Sequence, residues 1–205
     1  MKNNIPVIIL AGGKNSRFCG VSVKNKAFLK FGKKRIIDLM IDVFKNMFSQ
    51  IIIVTNKPSD FFEFEDVLVV KDIVKNCGPI GGIYTGLKSV TSQSAFFIAC
   101  DMPFAVSDKK IIEKILKTSH KEKDITTIPI SFKGDEPLFA VYNREIIKGL
   151  EKAIKKKEFS IKKIVKKFPY RNIKLNKKEI RLLTNINTRS DFNRALYEFR
   201  NFKDY

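Results

Sequence analysis

The sequence has few of the side chains that build disulfide frameworks or histidine-based sites. Its 205 residues include three cysteines, Cys19, Cys77 and Cys100, and one histidine, His120. The cysteines form no Cys-x-x-Cys pair, and any disulfide scheme leaves one thiol over, so we expect a reducing cytoplasm. His120 lies in a polar stretch after a predicted helix, and we expect it to be a solvated surface residue.

Long apolar runs are also missing. The run near the N-terminus, residues 5–11, falls well short of the roughly 18 to 20 apolar residues that span a bilayer. It leads into glycines and basic residues instead of a small-residue cleavage site, which argues against a signal peptide. We therefore expect a soluble, cytoplasmic protein with no membrane partner.

Acidic residues are scarce relative to basic ones, 21 against 40, so the formal net charge is +19. Most of the excess is C-terminal, since residues 148–205 hold 18 lysines and arginines but 6 acidic residues. A polyanionic partner is the first hypothesis. Lysine outnumbers arginine by 32 to 8, however, and arginine is the better residue for contacts to phosphates and bases. We expect the lysines of residues 155–167 to form a solvated helix face and nucleic acid not to be a partner.

The chain is rich in short apolar runs that alternate with amphipathic segments, the pattern of an α/β fold. A strand over residues 5–10, a helix over 35–48 and a strand over 51–55 make one βαβ unit. Fully apolar strands favour a mainly parallel sheet covered on both faces, and the length predicts a single domain over residues 1–205. Further strands are predicted at 67–70, 95–99, 125–130 and 137–142, and further helices at 80–90, 111–118, 144–156 and 189–199.

Ligands of such sheets bind at the carboxyl ends of the strands, so the residues after each strand are the candidates for function. The first strand is followed by Gly12 and Gly13, then by Arg17, Lys24 and Lys26. Adjacent glycines let backbone N–H groups approach a phosphate, although a glycine turn with solvated bases is the simpler reading. The position directly after a buried strand favours the anion site. The spacing matches neither a P-loop nor a dinucleotide fingerprint.

Two further segments follow predicted strands. Asp101 comes just after the strand over 95–99. A carboxylate at this position can hold Mg²⁺ against substrate phosphates, or it can cap a turn before Pro103. The helix over 80–90 contains Gly81, Gly82 and Gly86, which cost about 1 kcal/mol each in a helix. We expect either a ligand or a neighbouring strand to pack very closely on that helix.

Together these segments resemble the molybdenum cofactor guanylyltransferases of the nucleotidyltransferase superfamily. The segments 10–13 and 100–104 mark the wider superfamily, whereas the segments 78–83 and 185–188 are more particular to the guanylyltransferases. The resemblance covers nearly the whole chain. The matching segments are Leu-Ala-Gly-Gly at 10–13 with Ser16, Arg17 and Lys26, Gly-Pro-Ile-Gly-Gly-Ile at 78–83 with Gly86 and Leu87, Cys-Asp-Met-Pro-Phe at 100–104, Glu-Pro-Leu at 136–138, and Asn-Ile-Asn-Thr at 185–188.

The resemblance implies a three-layer, Rossmann-like nucleotidyltransferase fold with a mainly parallel central sheet. It implies an enzyme that transfers GMP from GTP to molybdenum-loaded molybdopterin, with Mg²⁺ as cofactor and pyrophosphate as leaving group. Molybdoenzyme apoproteins and cofactor-delivery proteins are further candidate partners.

The resemblance also assigns residues. It places Leu10 and Ala11 near guanine, and the amides of Gly12 and Gly13 together with Arg17 toward the phosphates. Lys26 matches the lysine that neutralises the triphosphate, Asp72 a position that contacts the nucleotide, and Asp101 the Mg²⁺ ligand. The expected catalytic residues are Lys26, Asp101 and Arg17. Looser candidates are Asn56 for the base, and Asn185 and Asn187 for the metal or cofactor side.

The chain departs from the family pattern at two places. The loop over 19–26 is about two residues longer than the usual Gly-x-Asp-Lys form and has Asn25 where aspartate is common, so Lys24 and Lys26 both remain candidates. We expect Lys26, because the residues after it are in family register. Near the end, Arg189 follows 185–188 in place of the usual proline.

Two other functions remain open on the sequence. A related enzyme could transfer CMP or another nucleotide to a different phosphate acceptor with Gly12, Arg17, Lys26 and Asp101 in the same roles, although the segment 78–83 disfavours it. A noncatalytic protein could bind anions or nucleic acid through the basic C-terminal third.

Overall fold

The structure is a computed structural model that describes residues 2–12, 25–121, 125–132 and 134–202. The described residues form an eight-stranded sheet and a separate two-stranded hairpin, β2 and β3. The strands are β1 (Val7–Leu10), β2 (Lys30–Phe31), β3 (Lys34–Arg35), β4 (Ile51–Thr55), β5 (Leu68–Lys71), β6 (Ser94–Ala99), β7 (Thr126–Ser131), β8 (Gly134–Asp135), β9 (Phe139–Asn143) and β10 (Tyr170–Lys174).

The large sheet runs in the order β10-β7-β9-β6-β1-β4-β5, with β8 paired to β7. Strand β1 is parallel to both of its neighbours, β4 and β6, and β5 extends this parallel block at one edge. Strand β9 is antiparallel to both β6 and β7, whereas β10 is parallel to β7. The sheet is therefore mainly parallel, as the sequence predicts.

Helices cover both faces of this sheet. Successive residues of a strand point to opposite faces, and accordingly Val7 and Ile9 join one apolar cluster while Ile8 and Leu10 join the other. The helices are α1 (Ile36–Met47), α2 (Pro79–Lys88), α3 (Lys109–Lys121), α4 (Ile147–Lys155), α5 (Ile161–Val165), α6 (Lys177–Leu182) and α7 (Arg189–Phe202). The first cluster takes its helical residues from α1, α3, α6 and α7, and the second from α2, α4 and α5. This is the expected three-layer arrangement.

Helix α1 shows how the sequence sets these boundaries. Its buried residues recur at helical spacing, from Ile36 through Met40 to Phe44. Its start is fixed by Asp38, whose carboxylate accepts hydrogen bonds from the Arg35 backbone N–H at 2.9 Å and from the Arg35 guanidinium at 2.7 and 2.8 Å. The guanidinium also pairs with Glu63 at 2.7 Å and thereby ties the start of α1 to the segment before β5.

Several elements differ from the sequence prediction. The predicted helix over 144–156 is a 3-10 turn, Arg144–Ile146, followed by the shorter α4. The hairpin, β8, β10 and α6 were not predicted. The lysines of residues 155–167 are exposed as expected, but they are divided between the end of α4, α5 and the segments that follow each helix, so they do not share one helix face. His120 is exposed as expected, and its Nε2 lies 3.2 Å from the Asn3 side-chain oxygen. Among the described residues, Cys77 and Cys100 are free thiols and no helix is both long and apolar enough to cross a membrane, whereas Cys19 lies outside this part of the chain.

Candidate active site

Four parallel strands end at the same edge of the sheet and bring together residues that are distant in the chain. Gly12, Asn56, Asp72 and Asp101 follow β1, β4, β5 and β6 within two residues of each strand. The chain leaves β1 toward β4 on one side and returns to β6 on the other. Such a reversal of strand order leaves a crevice at the carboxyl edge, which is where open α/β sheets bind ligands.

A cavity of about 660 Å³ lies at this edge. Leu10, Gly12 and Asn56 line it from β1 and β4, and Asp72 lines it from β5. Most of its remaining wall is the segment 74–79, in which Asn76 and Gly78 have φ angles of 62° and 57°. These left-handed conformations suit asparagine and glycine. They bend the chain around the cavity before α2 begins.

The glycines of α2 let this helix lie directly on the sheet. A Cβ atom at Gly86 would lie 2.7 Å from the Phe97 ring and 2.9 Å from Ile8, and one at Gly82 would lie 3.0 Å from Leu10. At Gly82 and Gly86 the close neighbour of this helix is therefore a strand, one of the two explanations that the sequence left open, whereas Gly81 approaches the segment after β5. Gly82 also lines the cavity.

Asp72 is held by hydrogen bonds to one of its two carboxylate oxygens. Its Oδ1 accepts from the Thr85 hydroxyl at 2.8 Å and from the Val74 backbone N–H at 3.1 Å. Thr85 belongs to α2 and is 1% exposed. A carboxylate in the wall of the cavity can accept further hydrogen bonds from the N–H or O–H groups of a ligand.

Lys26 and Asp101 meet at the other end of this edge. The Lys26 ammonium lies 3.2 Å from Asp101 Oδ2 and 2.9 Å from the Asn187 side-chain oxygen. The Lys26 and Asp101 side chains are 16% and 18% exposed. The structure thus brings together the predicted phosphate lysine, the predicted metal ligand and one of the looser candidates from the segment 185–188.

Asp101 has the features of a ligand-binding carboxylate. Burial raises its pKa above the ordinary value of 3.8, and the charge and hydrogen bond of Lys26 only partly oppose this. Its Oδ1 is buried and has no hydrogen-bond partner among the described residues, and the same is true of Asn185 Oδ1. The turn at Pro103–Val106 begins at Met102 without a side-chain cap, so Asp101 does not serve as a capping residue there.

The segment 185–188 is attached to the strand that carries Asp101. The Ile186 backbone N–H donates to the Asp101 backbone oxygen at 2.8 Å. Helix α7 then begins at Arg189, because Thr188 and Asp191 cap it: the Thr188 N–H donates to Asp191 Oδ2 at 2.8 Å, and the Asp191 N–H donates to Thr188 Oγ1 at 3.1 Å. This reciprocal cap fixes the start of α7 with Arg189 as its first residue.

Asn25 fixes the backbone just before Lys26. Its side-chain N–H donates to the Ala11 carbonyl at 3.0 Å, and its side-chain oxygen accepts from the Ala27 N–H at 3.0 Å. The sequence identified Asn25 only as a departure from the family pattern. The structure shows that it ties the lysine-bearing turn to the end of β1.

Three of the expected site residues, Gly13, Arg17 and Lys24, lie outside the described residues. Ala11 does not line the cavity. It is 3% exposed, its N–H donates to the Val54 carbonyl at 2.9 Å, and its carbonyl accepts from Asn25. Leu10, Gly12, Asn56 and Asp72 all line the cavity, and their roles toward a nucleotide stay predictions.

Sequence reasoning missed two features of the site. The cavity wall over 74–79 was seen only in part, through Gly78 and Pro79. Thr85 was not identified at all, because a threonine inside a helix carries no signal until its partner is known. Over the described ranges, no group of three or more histidine, cysteine, aspartate or glutamate side chains could hold a metal ion.

Comparisons with known proteins agree with this geometry. The family model described as "MobA-like NTP transferase domain" matches residues 7–172. A probable molybdenum cofactor guanylyltransferase of Clostridium perfringens is 35% identical over 193 residues, covering 90% of this chain and 92% of the relative. The molybdenum cofactor guanylyltransferase of Desulfosudis oleivorans is 32% identical over 92% of each chain.

A solved structure shares the fold. Molybdopterin-guanine dinucleotide biosynthesis protein A from Archaeoglobus fulgidus superimposes with a TM-score of 0.78 at 23% identity. The superposition covers 94% of this chain and 97% of the other. The similarity therefore extends over the sheet, its helices and the edge where the cavity lies.

Proposed function

The chain belongs to the MobA-like NTP transferases, and on that premise we propose that it is a molybdenum cofactor guanylyltransferase acting as a single nucleotidyltransferase domain over residues 1–205. It transfers GMP from GTP to molybdenum-loaded molybdopterin. The observation that carries the proposal is the pairing of Lys26 with the largely buried carboxylate of Asp101 at the carboxyl edge of the sheet, the edge at which the cavity also lies. The curated relatives from C. perfringens and D. oleivorans support it along nearly their whole length.

The reaction joins two anions. An oxygen of the molybdopterin phosphate forms a bond to the α-phosphorus of GTP, and the bond from that phosphorus to the α–β bridging oxygen breaks. Pyrophosphate leaves with the electron pair of the broken bond. Because the anions repel each other, catalysis is mostly positioning and charge neutralisation, with no covalent protein nucleophile. Among the described residues, none that lines the cavity is a histidine, which is consistent with this chemistry.

The nucleoside occupies the cavity, and the phosphates point toward Lys26. Leu10, Gly12 and Asp72 contact the nucleotide from the cavity wall, and Asn56 lies on the same wall. Gly13 and Arg17 act on the phosphates in this proposal, by the family motif. Lys26 neutralises the triphosphate, and its present partners, Asp101 and Asn187, hold its ammonium at the edge of the sheet.

The residues around Asp101 fit a Mg²⁺ ion. Mg²⁺ takes few protein ligands, usually one or two carboxylates, and completes its shell with water and phosphate oxygens. Asp101 Oδ1 and Asn185 Oδ1 are buried oxygen acceptors with no partner among the described residues, which is the state expected of ligand atoms. Asp101 is the proposed ligand, and Asn185 is the candidate second one. When bound, the ion supplies positive charge to the reacting phosphates.

The test is Mg²⁺-dependent binding of GTP, CTP and ATP to the purified protein. The proposal expects GTP to bind more tightly than CTP and ATP, and expects Asp101→Ala and Lys26→Ala to weaken that binding. Lys45→Ala is the matched control, since it removes a surface ion pair, Lys45–Asp66 at 3.0 Å, away from the cavity. Preferred binding of CTP would instead identify the related cytidylyl transfer.

Protein partners are proposed to dock on the lysine-rich surface of α4. Lys148, Lys152 and Lys156 lie one helical turn apart, are exposed, and line a groove of about 330 Å³ with Lys167. Like charges at this spacing disfavour the helix slightly, although Lys152 in its last turn interacts favourably with the helix dipole. An acidic segment of a molybdoenzyme apoprotein or a cofactor-delivery protein fits this surface by charge. A second copy would bring the same lysines together.

The docking proposal is tested by replacing Lys148, Lys152 and Lys156 together with glutamate. Cofactor delivery to an apoprotein is expected to fall at least severalfold while guanylyl transfer is unchanged. The control replaces Lys109, Lys110 and Lys117, which are equally exposed on α3. An equal effect of both variants, or no effect of either, would show that the α4 surface is not a docking site. Salt-sensitive binding of generic RNA in place of the acidic protein would also contradict it.

A further inference from the structure

Thr85 belongs to α2, and its hydroxyl group connects this helix to Asp72 at the cavity. The hydroxyl donates to Asp72 Oδ1 at 2.8 Å and accepts from the Ile73 backbone N–H at 3.1 Å. The residue is 1% exposed, so water cannot replace either bond. Thr85 therefore fixes both the backbone directly after Asp72 and the carboxylate of Asp72 itself.

These bonds leave the two oxygens of Asp72 in different states. Oδ1 accepts from Thr85 and from the Val74 N–H, whereas Oδ2 accepts no hydrogen bond among the described residues. Asp72 lines the cavity. With Oδ1 held in place, the carboxylate plane is set, and Oδ2 remains available to a ligand donor.

The glycines of α2 make this contact possible. A Cβ atom at Gly81 would lie 2.8 Å from the Val74 carbonyl oxygen and 3.3 Å from Asp72 Oδ2. Only a helix without a side chain there can come so close to the segment after β5. Thr85 lies one turn further along α2, and its β-branched side chain has few rotamers, so its hydroxyl is delivered to Asp72 at low entropic cost.

We propose that Thr85 is a positioning residue for nucleotide recognition: it orients the Asp72 carboxylate so that Oδ2 accepts a hydrogen bond from the nucleoside of GTP. This inference rests on the proposed function, in which Asp72 contacts the nucleotide. The donor is either an N–H group of guanine or a ribose hydroxyl, which share the chemistry that a carboxylate recognises.

The experiment measures the Kd of Mg-GTP for the wild-type full chain and for Thr85→Val, Thr85→Ser, Asp72→Ala and the double variant Thr85→Val/Asp72→Ala. Valine keeps the shape of threonine and removes the hydroxyl, and serine keeps the hydroxyl. We expect Thr85→Val to weaken GTP binding about tenfold and Thr85→Ser to stay within about twofold of wild type. On the Asp72→Ala background, Thr85→Val should change Kd by less than about twofold, because Thr85 acts through Asp72.

The outcomes separate the inference from the function beneath it. If Asp72→Ala weakens GTP binding but Thr85→Val does not, or weakens it equally in both backgrounds, the positioning role is wrong and Asp72 keeps its own role. If Asp72→Ala leaves GTP binding unchanged, the assignment of Asp72 fails and the inference falls with it. If Thr85→Val lowers the expression or melting temperature of the protein, Thr85→Ser decides, because serine keeps the hydroxyl and lacks the methyl group: the inference requires that Thr85→Ser binds GTP within about twofold of wild type, and weakened binding by Thr85→Ser would contradict it.

The donor is identified with two analogues of GTP. ITP lacks the 2-amino group of guanine, and 2′-deoxy-GTP lacks a ribose hydroxyl. The analogue that has lost the partner of Asp72 should bind wild type and Thr85→Val with nearly equal affinity. If Thr85→Val and Asp72→Ala both discriminate between GTP and each analogue as strongly as wild type does, Thr85 does not act through this carboxylate.

Discussion

Lys26 and Asp101 are 75 residues apart in the chain, yet their side chains form an ion pair of 3.2 Å at the carboxyl edge of the sheet. The pair joins the turn after β1 to the end of β6, the two strands that lie side by side at the crevice. A phosphate that enters this crevice meets the ammonium group and the carboxylate together. Each residue can be removed separately, and the two removals have different consequences.

Removal of the lysine is expected to damage both activity and stability. Lys26→Met keeps the length of the side chain but leaves the Asp101 carboxylate without its cation. We expect guanylyl transfer to fall at least about a hundredfold, since electrostatic stabilisation of the reacting phosphates is lost. The free energy of unfolding should fall by about 1–3 kcal/mol, because a largely buried charge loses its partner. Urea denaturation and an initial-rate assay measure the two effects, and full activity of the variant would contradict the role given to Lys26.

Removal of the Asp101 charge should have the opposite effect on stability. Burial raises the pKa of Asp101 above 3.8, so the folded protein holds this proton more tightly than the unfolded chain does. The contribution of Asp101 to the free energy of unfolding therefore decreases as pH rises from about 4 through the raised folded pKa, and this loss persists at higher pH. In metal-free buffer at pH 7–8, Asp101→Asn should melt at the same temperature as wild type or higher, while Mg²⁺-dependent GTP binding is lost.

The metal itself provides the check on this second prediction. Addition of Mg²⁺ with GTP should raise the melting temperature of wild type but not that of Asp101→Asn, since only the native site binds the pair. A lower melting temperature for Asp101→Asn at pH 7–8 than for wild type would show that the carboxylate stabilises the fold. A Mg²⁺-dependent increase that is the same in both proteins would place the metal elsewhere.

Asn25 provides a test with a substitution of equal size. In Asn25→Asp the side chain can no longer donate to the Ala11 carbonyl, and a carboxylate oxygen would instead face that carbonyl oxygen at about the present 3.0 Å. We expect the turn that carries Lys26 to loosen and GTP to bind several times more weakly, with a loss of about 1–3 kcal/mol in stability. Asn46→Asp, at an exposed position on α1, is the control. Unchanged GTP affinity would mean that the Lys26 turn does not depend on Asn25.

The packing of α2 on the sheet can be tested at Gly86. A methyl group there would lie 2.7 Å from the Phe97 ring and 2.9 Å from Ile8, and both of these residues are fully buried. Gly86→Ala should therefore destabilise the protein by about 1–3 kcal/mol, although alanine is the better helix former. Thermal melting measures the change. A more stable variant would show that α2 can move away from the sheet without cost.

The sequence predicts the layers of this fold well because apolar periodicity is strong in its core. The strand over residues 51–55 is predicted to the residue, and each of the other predicted strands to within two residues at either end. The elements that periodicity misses are short. Strand β10 buries only Ile173 of its five residues, and α5 is a turn and a half long, so its buried Ile161, Ile164 and Val165 complete no second turn of a helical pattern.

The site was predicted only where motifs name residues. Asp72 and Asp101 follow recognisable strands, and Lys26 follows from register with a family motif. Thr85 and Asn25 act through hydrogen bonds to partners 13 and 14 residues away, Asp72 and Ala11. No local pattern reports a contact of this kind, because it depends on how α2 and the Lys26 turn pack against the sheet.

The most direct measurement of the central claim is transfer of labelled GMP from GTP, carrying the label in its α-phosphate, to molybdenum-loaded molybdopterin. CTP labelled in the same position is the parallel substrate, and Asp101→Asn is the parallel enzyme. We predict that the label from GTP appears in a dinucleotide product with release of one pyrophosphate, and that CTP and the Asp101→Asn variant give at most a small fraction of this product. Label transfer from CTP in preference to GTP, or equal transfer by Asp101→Asn, would contradict the account.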